Sequence, residues 1–123
     1  MKLTNQTMDE YLRALQTISN KVTGRFGYAV ARNMRNLSNE LVEYRTLKDN
    51  TIKAFGVINE QGNYQIEIGT EAFEKYVEEM KQYTNIEHDV QLMMIGQDEL
   101  LKTPLNANEI LSVDFMVKEK TDE

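Results

Sequence analysis

Three groups of side chains have types and spacings that bear on chemistry. His88, the one histidine, stands in Glu87-His88-Asp89, and all three residue types are metal ligands. In an extended strand, alternate side chains point to opposite faces. Glu87 and Asp89 then face away from His88, so the triplet predicts a half-buried strand rather than a metal site. Glu71, Glu74, Glu78 and Glu79 form the second group. Paired carboxylates serve acid–base catalysis when their environments differ, but a glutamate run at helical spacing reads first as a solvated face. The third group is Arg25, Tyr28, Arg32 and Arg35. At 100° per residue these four share one side of a helix. Arginines around an aromatic ring grip phosphates and stack on bases, or they anchor a protein interface.

No catalytic set accompanies these groups. The chain has no cysteine, which excludes disulfides, thiolate metal sites and cysteine nucleophiles. It has no phosphate-binding glycine loop, no nucleophile elbow and no dinucleotide fingerprint. The expectation is therefore a protein that is not an enzyme and that holds no cofactor and no metal. Its candidate partner-binding residues are Arg25, Tyr28, Arg32 and Arg35 on one helix and Glu71, Glu74 and Glu78 on another.

The net charge is −6 over 123 residues, and it is unevenly placed. Residues 1–50 hold 8 Lys/Arg against 5 Asp/Glu, and residues 51–123 hold 6 against 15. A basic front half and an acidic back half attract one another within a molecule, between copies, or toward different partners. The acidity of the whole disfavours nucleic acid, because attraction to phosphate follows the summed field. No apolar run is long enough to span a bilayer. The start, Met1–Asn5, lacks the apolar segment of a secretory signal, so a cytoplasmic location is expected.

The elements that must position these residues are predominantly helical. Length predicts a single domain over 1–123, with a helical hairpin over 1–56 and an α+β part over 57–123. Thr7 and Glu10 have capping-box spacing and predict a first helix whose apolar face is Met8, Tyr11, Leu12, Leu15, Ile18 and Val22. Gly24 and Gly27 make a short joint. The stretch from Tyr28 to Lys48 then carries the stripe Val30, Met34, Leu37, Leu41 and Tyr44, spaced to lie along another helix. The second helix is predicted to continue to Phe55 and stop at Gly56, and the pair to fold back as an antiparallel hairpin.

From Val57 the period changes. Val57-Ile58, a turn at Gly62-Asn63, and Tyr64 to Ile68 predict strand, turn, strand. Thr70 caps a third helix with Phe73, Tyr76, Val77 and Met80 on its buried face, ended by Asn85. Ile86 to Ile95 alternates as a strand expected to pair with Tyr64–Ile68. A short turn follows at Leu100 and Leu101. Asn106 and Glu109 again have capping-box spacing and tip Leu111–Val117 toward helix, although Val113, Phe115 and Val117 also alternate. A charged tail runs from Lys118 to Glu123. The fold class is thus α+β, mainly helical: a long N-terminal helical hairpin with a small antiparallel sheet, a third helix and a short C-terminal helix.

The order of these features resembles a group of small uncharacterised proteins from phages and prophages of low-GC Gram-positive bacteria. The resemblance spans most of the chain as a pattern, and its most recognisable pieces are Tyr28–Asn33 and Leu111–Val117. It implies a phage origin and a small accessory or assembly protein in the host cytoplasm or the virion, and it implies no reaction. The first expectation is a module that binds a host or phage protein, in its concrete form an inhibitor of a host defence or housekeeping enzyme. The alternatives are a homo-oligomeric component of head–tail or tail assembly, and nucleic-acid binding by the arginine row.

Overall fold

The computed structural model describes residues 1–118, so the tail beyond Lys118 lies outside the described residues. The chain opens with a short strand, β1 (Lys2–Thr4), that runs straight into helix α1 (Asn5–Ile18). The helix starts earlier than the Thr7–Glu10 spacing predicts. Thr4 is the residue with the extended backbone that an N-cap needs (φ −75°, ψ 160°), and its side-chain oxygen accepts the Thr7 N–H at 3.1 Å. Met8, Leu12, Leu15 and Ile18 are fully buried, as their spacing predicts, and Asn5 is buried with them.

Helix α2 (Gly24–Glu40) returns along α1. Asp9, near the start of α1, meets Arg45, just past the end of α2, at 2.8 Å, so the two helices run antiparallel. The predicted unbroken helix to Phe55 is divided at Leu41, beyond which α3 (Val42–Phe55) begins. The Leu41 N–H is shared between the carbonyls of Leu37 and Ser38. Ser38 and Asn39, just before the joint, are types whose side chains compete for backbone hydrogen bonds. The apolar stripe survives the break: Val30, Leu37, Leu41 and Tyr44 are all buried, with Met34 partly so. Farther on, the Thr51 hydroxyl donates to the Leu47 carbonyl at 2.6 Å, and α3 continues through Asp49-Asn50-Thr51 to Phe55.

Gly56 ends α3 and admits β2 (Val57–Ile58), which pairs antiparallel with β3 (Tyr64–Gln65). Between them the Asn59 side chain accepts the N–H groups of Gln61 and Asn63, each at 3.0 Å, and Gly62 takes φ +81°. The ladder is shorter than the alternation predicts: Ile66 to Ile68 leave it, and Ile68 is 84 % exposed. A Cβ on Gly56 would lie 2.5 Å from the Ile52 carbonyl oxygen and 2.7 Å from that of Gln65. Both are backbone atoms, and one of them closes the last turn of α3. Gly56→Ala is therefore expected to cost about 1–3 kcal/mol in a urea melt. An unchanged midpoint would mean that the hairpin is not held against α3 at this point.

Helix α4 (Glu71–Thr84) is capped by Thr70, whose oxygen accepts the Phe73 N–H at 3.2 Å, and it ends at Asn85 as predicted. It packs on α3 and α1. Only Met80 of its expected stripe is buried; Phe73 and Tyr76 are half-buried and Val77 is exposed.

Strand β4 (Glu87–Asp89) corrects the predicted pairing. Its partner is β1, antiparallel, with Lys2 opposite Asp89 and Leu3 opposite His88, and not Tyr64–Ile68. Alternation shows which face a strand buries but not which strand lies beside it. Here the anchor is Leu3, buried in the core with Val90. The predicted strand to Ile95 also stops at Asp89. Beyond it α2 takes the place of a neighbouring strand. The Asn33 Oδ1 accepts the Met93 N–H at 2.7 Å, and its Nδ2 donates to the Met93 carbonyl at 3.0 Å.

Helix α5 (Gln97–Leu101) and helix α6 (Ala107–Ser112) follow. Asn106 and Glu109 form the predicted capping box, with bonds of 2.9 and 3.0 Å. The helix does not run through Val117: a 3₁₀ turn covers Asp114–Met116, and Val117 bridges to Ile95 in parallel. Phe115 stacks on Tyr11 with ring centroids 3.7 Å apart. Buried apolar residues from Leu3 to Val117 form one cluster. Among the described residues no helix is long and apolar enough to cross a membrane.

Candidate interaction surface

Helix α2 has two faces with opposite duties. Its inner face buries Phe26, Ala29, Val30, Asn33 and Leu37. Asn33, fully buried, grips the backbone of Met93, and its Nδ2 also lies 3.8 Å from the Met116 sulfur. One turn on, the Asn36 Nδ2 donates to the Gln91 carbonyl at 3.3 Å. These contacts fix the rotation of α2 and so fix what its other side presents.

That other side presents Arg25, Tyr28, Arg32 and Arg35, all exposed as the helical period predicts, with Tyr28 at 60 %. Arg25 reaches Glu99 of α5 at 3.6 Å, which sets a carboxylate beside a cation near the positive end of α2. Among the described residues, no carboxylate lies within 4 Å of the Arg32 or Arg35 guanidinium.

The acidic candidates sit elsewhere. Glu71, Glu74 and Glu78 are exposed on α4. Glu71 faces Lys75 at 3.6 Å and Glu78 faces Lys81 at 3.1 Å, both on the same helix. The structure does not bring them to the arginine row, so α2 and α4 carry two separate charged faces. The Glu87-His88-Asp89 triplet also diverges. Asp89 takes the Met1 ammonium at 3.1 Å, His88 Nδ1 lies 3.5 Å from the Glu40 carboxylate, and Glu87 is exposed.

Two ion-pair groups include long-range contacts, Asp9 with Arg45 and Lys21 with Glu109, that no local spacing announces. Asp9, largely buried, is paired with Arg13 one turn along α1 at 3.0 Å and accepts from Arg45 at 2.8 Å, the second contact tying α1 to α3. Glu109, also largely buried, meets Lys21 at 2.6 Å. The hydrogen bond from Lys21, joined by the Asn106 N–H, holds the Glu109 carboxyl below its ordinary pKa. A lowered carboxyl pKa stabilises the fold above the unfolded-chain value of about 4.3, and the effect is lost as pH falls through the lower folded value. Wild type is thus expected to melt above Glu109→Gln at pH 7, with the gap closing below about pH 4. A gap of equal size at acid and neutral pH would contradict this pairing.

Compared with protein-family models, curated proteins and solved structures, the chain has no match.

Proposed function

We propose that this chain is a non-enzymatic accessory protein of the phage type, acting in the host cytoplasm by binding a host or phage protein. The contact surface is the outer face of α2, with the acidic face of α4 as a second contact. Its concrete form is inhibition of a host defence or housekeeping enzyme. The observation that carries the proposal is Tyr28, 60 % exposed among arginines of which two have no carboxylate partner among the described residues. Tyrosine and arginine supply much of the energy of protein interfaces, and a helix pinned on its inner face presents them with little ordering cost. The test is a pull-down from the lysate of a low-GC Gram-positive host. One host protein should be retained by wild type and lost with the Arg32→Ala/Arg35→Ala variant. Equal recovery by both, or no specific protein, ends the proposal.

The second proposal is a component of virion assembly. It is favoured by the uneven charge of the two halves and by apolar side chains displayed around the β2–β3 hairpin, with Val57 65 % and Ile58 60 % exposed. It expects a defined oligomer that loosens with salt in size-exclusion with light scattering. A strict monomer at both low and moderate salt counts against it. Nucleic-acid binding by the same arginines opposes the net charge of −6 and requires binding that weakens steeply with salt.

A further inference from the structure

Helix α2 carries Arg25, Arg32 and Arg35 and no carboxylate before Glu40, its last residue. Negative charge closes this row at both ends. Toward the start of the helix, Glu99 of α5 stands 3.6 Å from Arg25. Toward its end, Asn39 follows Arg35 by one turn on the same side and shares an open groove of about 180 Å³ with Glu40 and Asp89. Between these ends, neither Arg32 nor Arg35 pairs with a carboxylate among the described residues. The unpaired cationic stretch is therefore short. Arg32 and Arg35 are about 4.5 Å apart along the helix axis, and Tyr28 lies about 6 Å before Arg32.

These limits decide between two kinds of anion. A nucleic-acid strand carries a phosphate at every residue, so its charge runs on past the row toward Glu99 at one end and Glu40 and Asp89 at the other. A protein segment can confine its carboxylates to a single turn. Screening over about 8 Å then hides most of the acidic surface elsewhere from that segment. The spacing also selects its backbone. Same-face residues of a strand are about 6.6 Å apart, whereas residues three and four apart on a helix are separated by about 4.5 and 6 Å. A guanidinium takes a carboxylate through two parallel hydrogen bonds, and the exposed Tyr28 ring offers apolar surface one turn away. We propose that the segment which docks on the outer face of α2 is an acidic amphipathic helix. Two carboxylates one turn apart meet Arg32 and Arg35, and an aliphatic side chain one turn farther on covers Tyr28. This inference rests on the function proposed above and names the chemistry of its partner.

The test is an amide NMR titration of the full chain at pH 7 and moderate salt. The probe is a capped alanine-based helical peptide with two glutamates three residues apart and a leucine four residues beyond the second. The controls are the same peptide with glutamine in place of glutamate, and decathymidylate. Saturable shifts at Tyr28, Arg32 and Arg35, with a dissociation constant in the millimolar range or tighter, are expected from the glutamate peptide. The glutamine peptide should bind about fivefold more weakly or worse. Arg32→Gln/Arg35→Gln alters two exposed residues, so the fold should persist, and it should weaken binding of the glutamate peptide by a similar factor. The proposal is overturned if the glutamate peptide does not bind, if the glutamine peptide binds as well, or if the double variant binds as wild type. Tighter binding of decathymidylate at the same residues overturns it in favour of nucleic acid. Shifts at the row and at Glu71, Glu74 and Glu78 on concentrating the protein alone overturn it in favour of a second copy. A peptide that fails while a host protein is still retained through Arg32 and Arg35 removes the acidic helix and leaves the function standing. Peptide binding with no host protein retained does the reverse.

Discussion

Asn33→Leu is expected to destabilise the protein by about 2–4 kcal/mol, although it replaces a polar side chain with an apolar one of similar size. The reason lies in what the asparagine holds. Its amide answers both the N–H and the carbonyl of Met93 at 2.7 and 3.0 Å. Leucine leaves those two backbone groups unanswered, and an unanswered buried group costs about 1–3 kcal/mol. Nor is the loss confined to α2: the segment between Val90 and Ile95, whose ends are held by backbone bonds to Met1 and Met116, should loosen at its middle. Urea unfolding read by circular dichroism gives the number. Asn36→Leu is the control, because its bond to Gln91 is longer, 3.3 Å, and exposed. It should cost under about 1 kcal/mol. Equal costs for the two variants would mean that the segment is held by its apolar contacts alone.

Leu37→Ala is expected to cost about 2–5 kcal/mol, the usual range for truncating a fully buried leucine. Leu37 has no exposed surface and lies on the inner face of α2, one turn from Asn33. The informative comparison is with the opposite face of the same helix. Arg32→Ala and Arg35→Ala remove exposed side chains and should each stay within about 0.5 kcal/mol of wild type. A difference of this size between the two faces makes α2 a structural element inward and a presenting element outward. If Arg32→Ala unfolds the protein as readily as Leu37→Ala, the outer row is structural and the proposed interface fails. The Asn33 and Leu37 variants share neighbours, so their effects should not add.

Much of this architecture can be traced to local chemistry in the chain. Thr70, and Asn106 with Glu109, cap helices where their spacing predicts, because a cap needs only three or four residues to be recognised. The apolar spacing of α1 and α2 marks their buried faces for the same reason, and it thereby exposes the arginine row. Long-range polar contacts have no such period. Nothing near Asn33 in the chain marks Met93 as its partner, and Lys21 and Glu109 are 88 residues apart. The pairing of β1 with β4 was hidden because β1 is three residues long and its one sign is a single buried Leu3. The joint at Leu41 was hidden because the apolar stripe runs through it unbroken. On α4 the apolar spacing overstated burial: the helix packs on α3 and α1, and Val77 stays 37 % exposed.

The most direct test of the central claim, that the outer face of α2 engages a partner protein, is affinity capture with wild type and Arg32→Ala/Arg35→Ala side by side. Both baits are first shown to have the same melting temperature. The account predicts one host protein retained by wild type, with binding weakened at least tenfold by the double variant, equivalent to about 1.4 kcal/mol. Retention of that protein by both baits with equal affinity would contradict it.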